Sequence, residues 1–260
     1  MANILKTAVI QADLYWEDAM KNRELFSAKI AEIKDEIDLI VLPEMFSTGF
    51  SMNAENLAEP VQGTTFKWMQ DIAKQRDVAV TGSVIVEESG NYYNRLYFVF
   101  PDGTFKKYDK RHTFTLAKED LTYTAGNERL IVEYKGWKIC PLVCYDLRFP
   151  VWARNTEDYD LLIYVANWPE TRIHAWDVLL QARAIENMSY CIGVNRTGPD
   201  GNDYQYNGHT AVYDGLGASM FDNTSAEEFT KIVSLDRSIS LEIRKKLKFL
   251  QDRDQFSIKD

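Results

Sequence analysis

Residues 137–150 read WKICPLVCYDLRFP, and the place of Cys144 in that run decides how the chain is read. The segment up to Val143 is largely apolar; Cys144 follows at once, and Tyr145, Asp146 and Arg148 come directly after it. A thiol that only fills a core has apolar neighbours on both sides. This one stands where a buried strand gives way to a polar turn, and α/β proteins with parallel sheets put their chemistry beyond the carboxyl ends of such strands. Residues 147–155 are expected to start a helix with Pro150 in its first turn, since proline is preorganised for that position.

Working outward, short apolar runs rich in β-branched residues recur at 5–10, 39–42, 78–86, 96–100, 161–166 and 190–194. Between several of them lie amphipathic stretches at helical spacing, at 19–33, 64–74 and 174–188. In the last of these, Val178, Leu179, Ala182 and Ile185 fall on one side and are read as the face packed on a sheet. The turn signals PDG at 101–103 and DGLG at 214–217 predict hairpins, so antiparallel strands mix with helix-connected ones. The fold class is α/β with many strands.

With 260 residues, 45% of them hydrophobic, and no Ser- or Pro-rich linker or internal repeat, the chain reads as one domain spanning residues 1–260 with a helical tail from about 238. A formal net charge of -9 argues against a nucleic-acid partner, because phosphate binding needs clustered cations. The one basic cluster, Arg244, Lys245, Lys246 and Lys248, reads as a solvated helix face. No run approaches the roughly 18 apolar residues of a membrane span, and MANILKTAVIQA lacks the form of an export signal, so no membrane partner and a cytoplasmic location are expected. Three cysteines, Cys140, Cys144 and Cys191, give no disulfide framework. Cys140 and Cys144 lie four apart, away from His112, His174 and His209, so no metal is expected.

A nucleophilic cysteine needs a base or a helix N-terminus. Glu44 follows Pro43 at the end of its own apolar run and is a candidate base if that strand neighbours the Cys144 strand in one sheet. Acyl transfer builds negative charge on oxygen, which calls for preorganised donors. Lys110, in YDKRHTF, and the backbone amide of Tyr145 could supply them. Each residue also has a plainer reading: a capping carboxylate, a solvated lysine, a buried structural thiol.

Three stretches together, LPEMFSTGF at 42–50, YDKRHTF at 108–114 and LVCYDLRFPVWARN at 142–155, resemble the catalytic motifs of the nitrilase superfamily of carbon–nitrogen hydrolases, in the family's order. YVANWP at 164–169 agrees as well, and the resemblance runs from about residue 4 to about residue 240, closest to the omega-amidase branch. It implies a four-layer α-β-β-α sandwich that pairs through a helical face into a homodimer. It also implies Glu44 as general base, Lys110 as oxyanion stabiliser, Cys144 as nucleophile and no cofactor. The family's second glutamate matches Glu119 in KEDLTYTAGN, with Asp120 adjacent as the alternative, and the chain carries Ala125-Gly126 where the family often has Pro-Gly.

The implied activity is hydrolysis of the terminal amide of small 2-oxo dicarboxylic acid monoamides such as 2-oxoglutaramate and 2-oxosuccinamate. Arg148 and Arg172 are candidates to bind the far carboxylate, with Phe149 and Trp168 as apolar walls. Arg148 could instead be the salt-bridge partner of Asp146 or Glu44. A broader aliphatic amidase, a nitrilase or an N-carbamoyl hydrolase would share the catalytic residues and differ in the pocket. A thiol sensor would need neither Glu44 nor Lys110.

Overall fold

The computed structural model describes residues 3–221 and 224–258. Two sheets stack face to face. The larger, seven-stranded sheet runs Phe229–Asp236, Ile4–Gln11, Leu39–Val41, Ala79–Glu88, Asn91–Val99 and Phe105–Asp109, with the short Glu59–Pro60 beside Ala79–Glu88. The five-stranded sheet runs Ala211–Tyr213, Tyr190–Asn195, Leu161–Ala166, Trp137–Val143 and Val132–Tyr134. In both, central strands are parallel and flanking ones antiparallel. The two predicted hairpin turns form, between Phe100 and Thr104 and between Asp214 and Ala218.

Strand alternation explains the layering. Leu5, Val9, Leu39 and Val41 face the smaller sheet and share one core with Ile139, Leu161, Ile163 and Val165. Their sequence neighbours Ala8, Ile10, Ile40 and Leu42 face the other way, onto Phe26 and Ile30 of helix Ala19–Ala31 and Phe66, Met69 and Ala73 of helix Thr64–Arg76. Helix Ile173–Asn187 covers the outer face of the smaller sheet through Trp176, Leu180 and Ala184. A Cβ on Gly193 would stand 2.4 Å from Leu180, so glycine in that strand is what lets the helix sit so close. The result is the α-β-β-α sandwich.

Two expectations are corrected. The helix packs through Trp176, Leu180, Arg183, Ala184 and Asn187; of the stripe read as its core face, Val178 and Ile185 point away, each 49% exposed, Ala182 is half-buried, and Leu179, also half-buried, packs against the core. Arg183 and Asn187 share the buried face because they cap backbone carbonyls there: Arg183 Nη2 donates to Leu147 O (2.6 Å) and Asn187 Nδ2 to Arg183 O. Second, the segment after Cys144 is not one helix over 147–155. A 3-10 turn, Cys144–Arg148, precedes a single α-helical turn, Pro150–Ala153, with Pro150 at its first position. Near the end of the chain lies helix Arg237–Leu247.

Candidate active site

Glu44 and Cys144 end strands of different sheets, Leu39–Val41 in the larger and Trp137–Val143 in the smaller. The expectation that they would be neighbours within one sheet is therefore wrong; they meet across the sandwich, because both central strands end on the same side. Each chain reversal is sharp. Cys144 has φ 44° and Met45, just after Glu44, φ 41°, the left-handed region that non-glycine residues rarely occupy. Such strain persists only where the surroundings hold it in place.

Asp146 does part of that holding. Its Oδ2 accepts from Val143 N (3.0 Å) and Tyr108 Oη (2.8 Å), and its Oδ1 accepts from His112 N (3.1 Å) and contacts His112 Nδ1 (2.7 Å). The turn that carries Cys144 is thereby tied to the segment that carries Lys110. Phe149 lies face to face on the His112 ring, centroids 3.7 Å apart, and edge-on to Tyr145. It braces the turn from behind and is not among the residues that line the cavity described below.

Beside Cys144 sits a buried charge cluster. Lys110, 1% exposed, donates from Nζ to Glu44 Oε1 (2.9 Å), Glu119 Oε1 (3.0 Å) and Glu119 Oε2 (2.9 Å). Glu44 Oε1 also accepts from Asn94 Nδ2 (2.7 Å), and Oε2 accepts from Asn167 N (2.9 Å). Glu119 Oε2 takes Phe114 N at 2.5 Å. Of the two adjacent acids the structure puts Glu119 in the cluster and leaves Asp120 exposed. The loop bearing Glu119 is closed by Gly126, whose amide donates to Lys110 O (3.0 Å) and where a Cβ would fall 2.1 Å from Asp109 O.

Burial, reinforced by the Glu44 carboxylate and only partly offset by Lys110, raises the Cys144 thiol well above its ordinary value. That direction favours the neutral thiol over the thiolate that activation by a helix terminus, considered from the sequence, would require. Burial alone would lower Lys110, but Glu119 and then Glu44 raise it, and it stays an ammonium. Burial also pushes Cys140 up to about 12 and raises Cys191, which keeps both as inert thiols in the core.

The cluster opens into a cavity of about 620 Å³, whose lining includes Lys110, Cys144, Tyr145, Arg148, Trp168 and Arg172. Tyr145 is the second residue of its 3-10 turn, so its amide is one of those without an acceptor inside the turn. Arg148 lies over the Trp168 ring at 4.9 Å and Arg172 over Phe114 at 5.0 Å. Asp146 and Glu44 take other partners, so Arg148 bridges to neither. The sequence reading missed Asn94 and Asn167, both buried, and the outer lining by Trp16, Glu17, Phe50 and Tyr206. The polar pair Asn94-Arg95 set between the aromatic and apolar residues of YYNRLYFVF at 92–100 was the available signal for Asn94.

Comparison with known proteins agrees with this geometry. The carbon-nitrogen hydrolase family model matches residues 6–245. The omega-amidase YafV of Escherichia coli K12 is 44% identical over 98% of this chain and 98% of its own. The 2-oxoglutaramate amidase of Bacillus subtilis is 32% identical over 94% and 95%. A CN-hydrolase superfamily protein from Xanthomonas campestris, with an arsenic adduct in its active site, superposes with a TM-score of 0.96 at 40% identity, over 99% of this chain and 100% of that one.

Proposed function

This chain belongs to the carbon-nitrogen hydrolase family, and from that premise we propose that it is an amidase releasing ammonia from small 2-oxo dicarboxylic acid monoamides, 2-oxoglutaramate foremost. The observation that carries the reading is the joint placement of a thiol, a carboxylate and a buried ammonium at one end of a cavity whose wall holds two arginines. The names of its 44% and 32% identical relatives support the substrate class.

In the proposed mechanism Cys144 Sγ attacks the amide carbon as Glu44 takes the thiol proton. Charge on the tetrahedral oxygen is met by Lys110 Nζ and the Tyr145 amide. Glu44 then gives its proton to the departing nitrogen, the C–N bond breaks, ammonia leaves and a thioester remains. Water, deprotonated by Glu44, attacks the thioester; the C–S bond breaks, the proton returns to sulfur and the acid is released. Apart from the attacking water, each step uses side chains of this chain and the Tyr145 backbone amide. Arg148 or Arg172 binds the far carboxylate, a pairing of charges that gives two parallel hydrogen bonds.

The same reading takes the chain as one hydrolase domain, although residues 1–2, 222–223 and 259–260 lie outside the described residues. It makes the protein a homodimer through the outward stripe of Val178 and Ile185. Among the described residues no helix is long and apolar enough to cross a membrane, and a cytoplasmic location is part of the proposal. The test is ammonia release from 2-oxoglutaramate against a neutral amide of equal length, with Cys144→Ala as control. The expected outcome is preference for the anionic amide and no turnover by the variant. Equal rates on both amides would favour a broad aliphatic amidase, and turnover by Cys144→Ala would overturn the mechanism.

A further inference from the structure

Lys110 is asked to do two things with one ammonium. Its three donor contacts already go to Glu44 Oε1 and to both oxygens of Glu119. An ammonium has three protons, so any hydrogen bond to a substrate oxyanion draws one away from a carboxylate. Something else has to keep Glu44 in place at that moment. The side chain in position to do so is Asn94, in strand Asn91–Val99. It is 1% exposed, and its Nδ2 donates to Glu44 Oε1 at 2.7 Å and reaches Glu119 Oε1 at 3.3 Å. Its backbone carbonyl meanwhile accepts from Lys110 N at 3.0 Å. One residue thus touches all three members of the charge cluster.

The orientation of the amide is forced. Turned over, Oδ1 would face two carboxylates. As it stands, Oδ1 is buried with no hydrogen-bond partner. Buried polar atoms are nearly always paired, and an exception calls for a reason. An apolar residue in this strand would avoid the orphaned atom; the donor on the other side of the same amide is what an apolar residue could not give.

Resting on the reading of Glu44 as base, we propose that Asn94 is a positioning residue that pins Glu44 Oε1, leaving Oε2 as the oxygen that receives the Cys144 proton, and that it holds the carboxylate there while Lys110 shares its protons with the oxyanion. Asn167 N fixes Oε2 from the other side at 2.9 Å. The groups facing Glu44 are then complete: Lys110 from the end of strand Phe105–Asp109, Glu119 from its 3-10 turn, Cys144 from the smaller sheet, and Asn94 and Asn167 as neutral donors. Tyr123, a neutral phenol that burial and the nearby Glu119 and Glu44 carboxylates hold well above its ordinary value, donates its hydroxyl to Ser51 O.

The test compares Asn94→Val with Asn94→Thr, two β-branched residues of the same shape that suit a strand and differ by one hydroxyl donor. Asn94→Val should lower kcat by about 10- to 100-fold, the scale of a misplaced reacting group, with KM changed less than about threefold. Its acid limb of kcat/KM should move to higher pH, because the charged carboxylate has lost a donor. Asn94→Thr should recover about tenfold of the lost kcat and part of the pH shift. If Asn94→Val is insoluble, Asn94→Ala against Asn94→Ser carries the same comparison. Equal losses in the donor and non-donor variants with an unmoved acid limb, or a kcat within threefold of wild type in Asn94→Val, would overturn the proposal. Glu44→Gln, run alongside, reports on the underlying reading separately: if it turns over normally, Glu44 is not the base, whatever Asn94 does.

Discussion

Among the charged side chains in and beneath the cavity, which Glu17 and Asp200 also line, two sets differ in kind. Glu44, Lys110 and Glu119 are at most 1% exposed, hydrogen-bonded to one another and to Asn94, Asn167 and Phe114. Arg148 and Arg172 are half-buried, and their guanidinium groups rest on the rings of Trp168 and Phe114. The deep set has its geometry fixed by mutual ion pairs that exclude water, which is the condition for electrostatic stabilisation of a transition state. The outer set has positive charge held against aromatic faces and left for a ligand. Turnover should therefore depend on the first set and substrate choice on the second.

The harshest way to break that division is to remove the shared cation. Lys110→Met leaves two carboxylates buried beside each other, and taking one partner from a buried pair costs about 3–5 kcal/mol. The expected result is a clear fall in Tm and a loss of 10²-fold or more in kcat. Adding Glu119→Gln to Lys110→Met should recover stability, since one uncompensated charge goes, while adding little further loss of rate; residues that act as a unit are far from additive. Initial rates with thermal melts check this. A Lys110→Met protein with near-normal kcat would remove Lys110 from the oxyanion role.

The outer set should respond differently. Arg148→Met and Arg172→Met keep much of the apolar contact with the ring beneath and delete the charge. For whichever arginine takes the carboxylate, KM for 2-oxoglutaramate should rise about tenfold or more, in line with the loss of a hydrogen bond between charged groups, with kcat and the neutral amide little changed. Steady-state kinetics on both substrates decides it. If neither change is selective for the anionic substrate, the arginines are braces for the aromatic wall and substrate charge is read elsewhere.

The same division governs what could be read from the sequence. Glu44, Lys110, Cys144 and Glu119 lie within short motifs at strand ends, where a polar residue after an apolar run is conspicuous. Their meeting point was not legible, because the sequence shows strand ends and not which sheet each strand joins; Glu44 and Cys144 come from opposite sheets. Phe149 was expected as an apolar wall of the pocket, yet the 3-10 turn directs it onto His112. Periodicity failed most plainly on helix Ile173–Asn187, where an apolar stripe of Val178, Leu179, Ala182 and Ile185 suggested a core face. The buried side includes Arg183 and Asn187, which are held inside by backbone hydrogen bonds that no hydropathy pattern registers.

That misread stripe leads to the mildest expected effect on chemistry. Val178 and Ile185 lie two helical turns apart on one line and are each 49% exposed, while Ile239 (51%) and Leu241 (41%) of helix Arg237–Leu247 are exposed as well. Apolar side chains aligned in this way lose contact with water when a second copy of the helix is laid against them, at roughly 25 cal/mol for each Å² buried. Glu at both positions would put like charges opposite one another across a two-fold interface, since an isologous contact sets a patch against itself. Val178→Glu/Ile185→Glu should therefore run as a monomer in light scattering where wild type runs as a dimer, with kcat within about twofold, because no cavity-lining residue comes from either position. A wild-type monomer, or a double variant that stays dimeric, would move the pairing surface away from this helix or abolish it. A monomer with a collapsed kcat would instead mean that the deep charge cluster depends on the partner copy for its geometry, and the separation between the two sets of side chains would have to be redrawn.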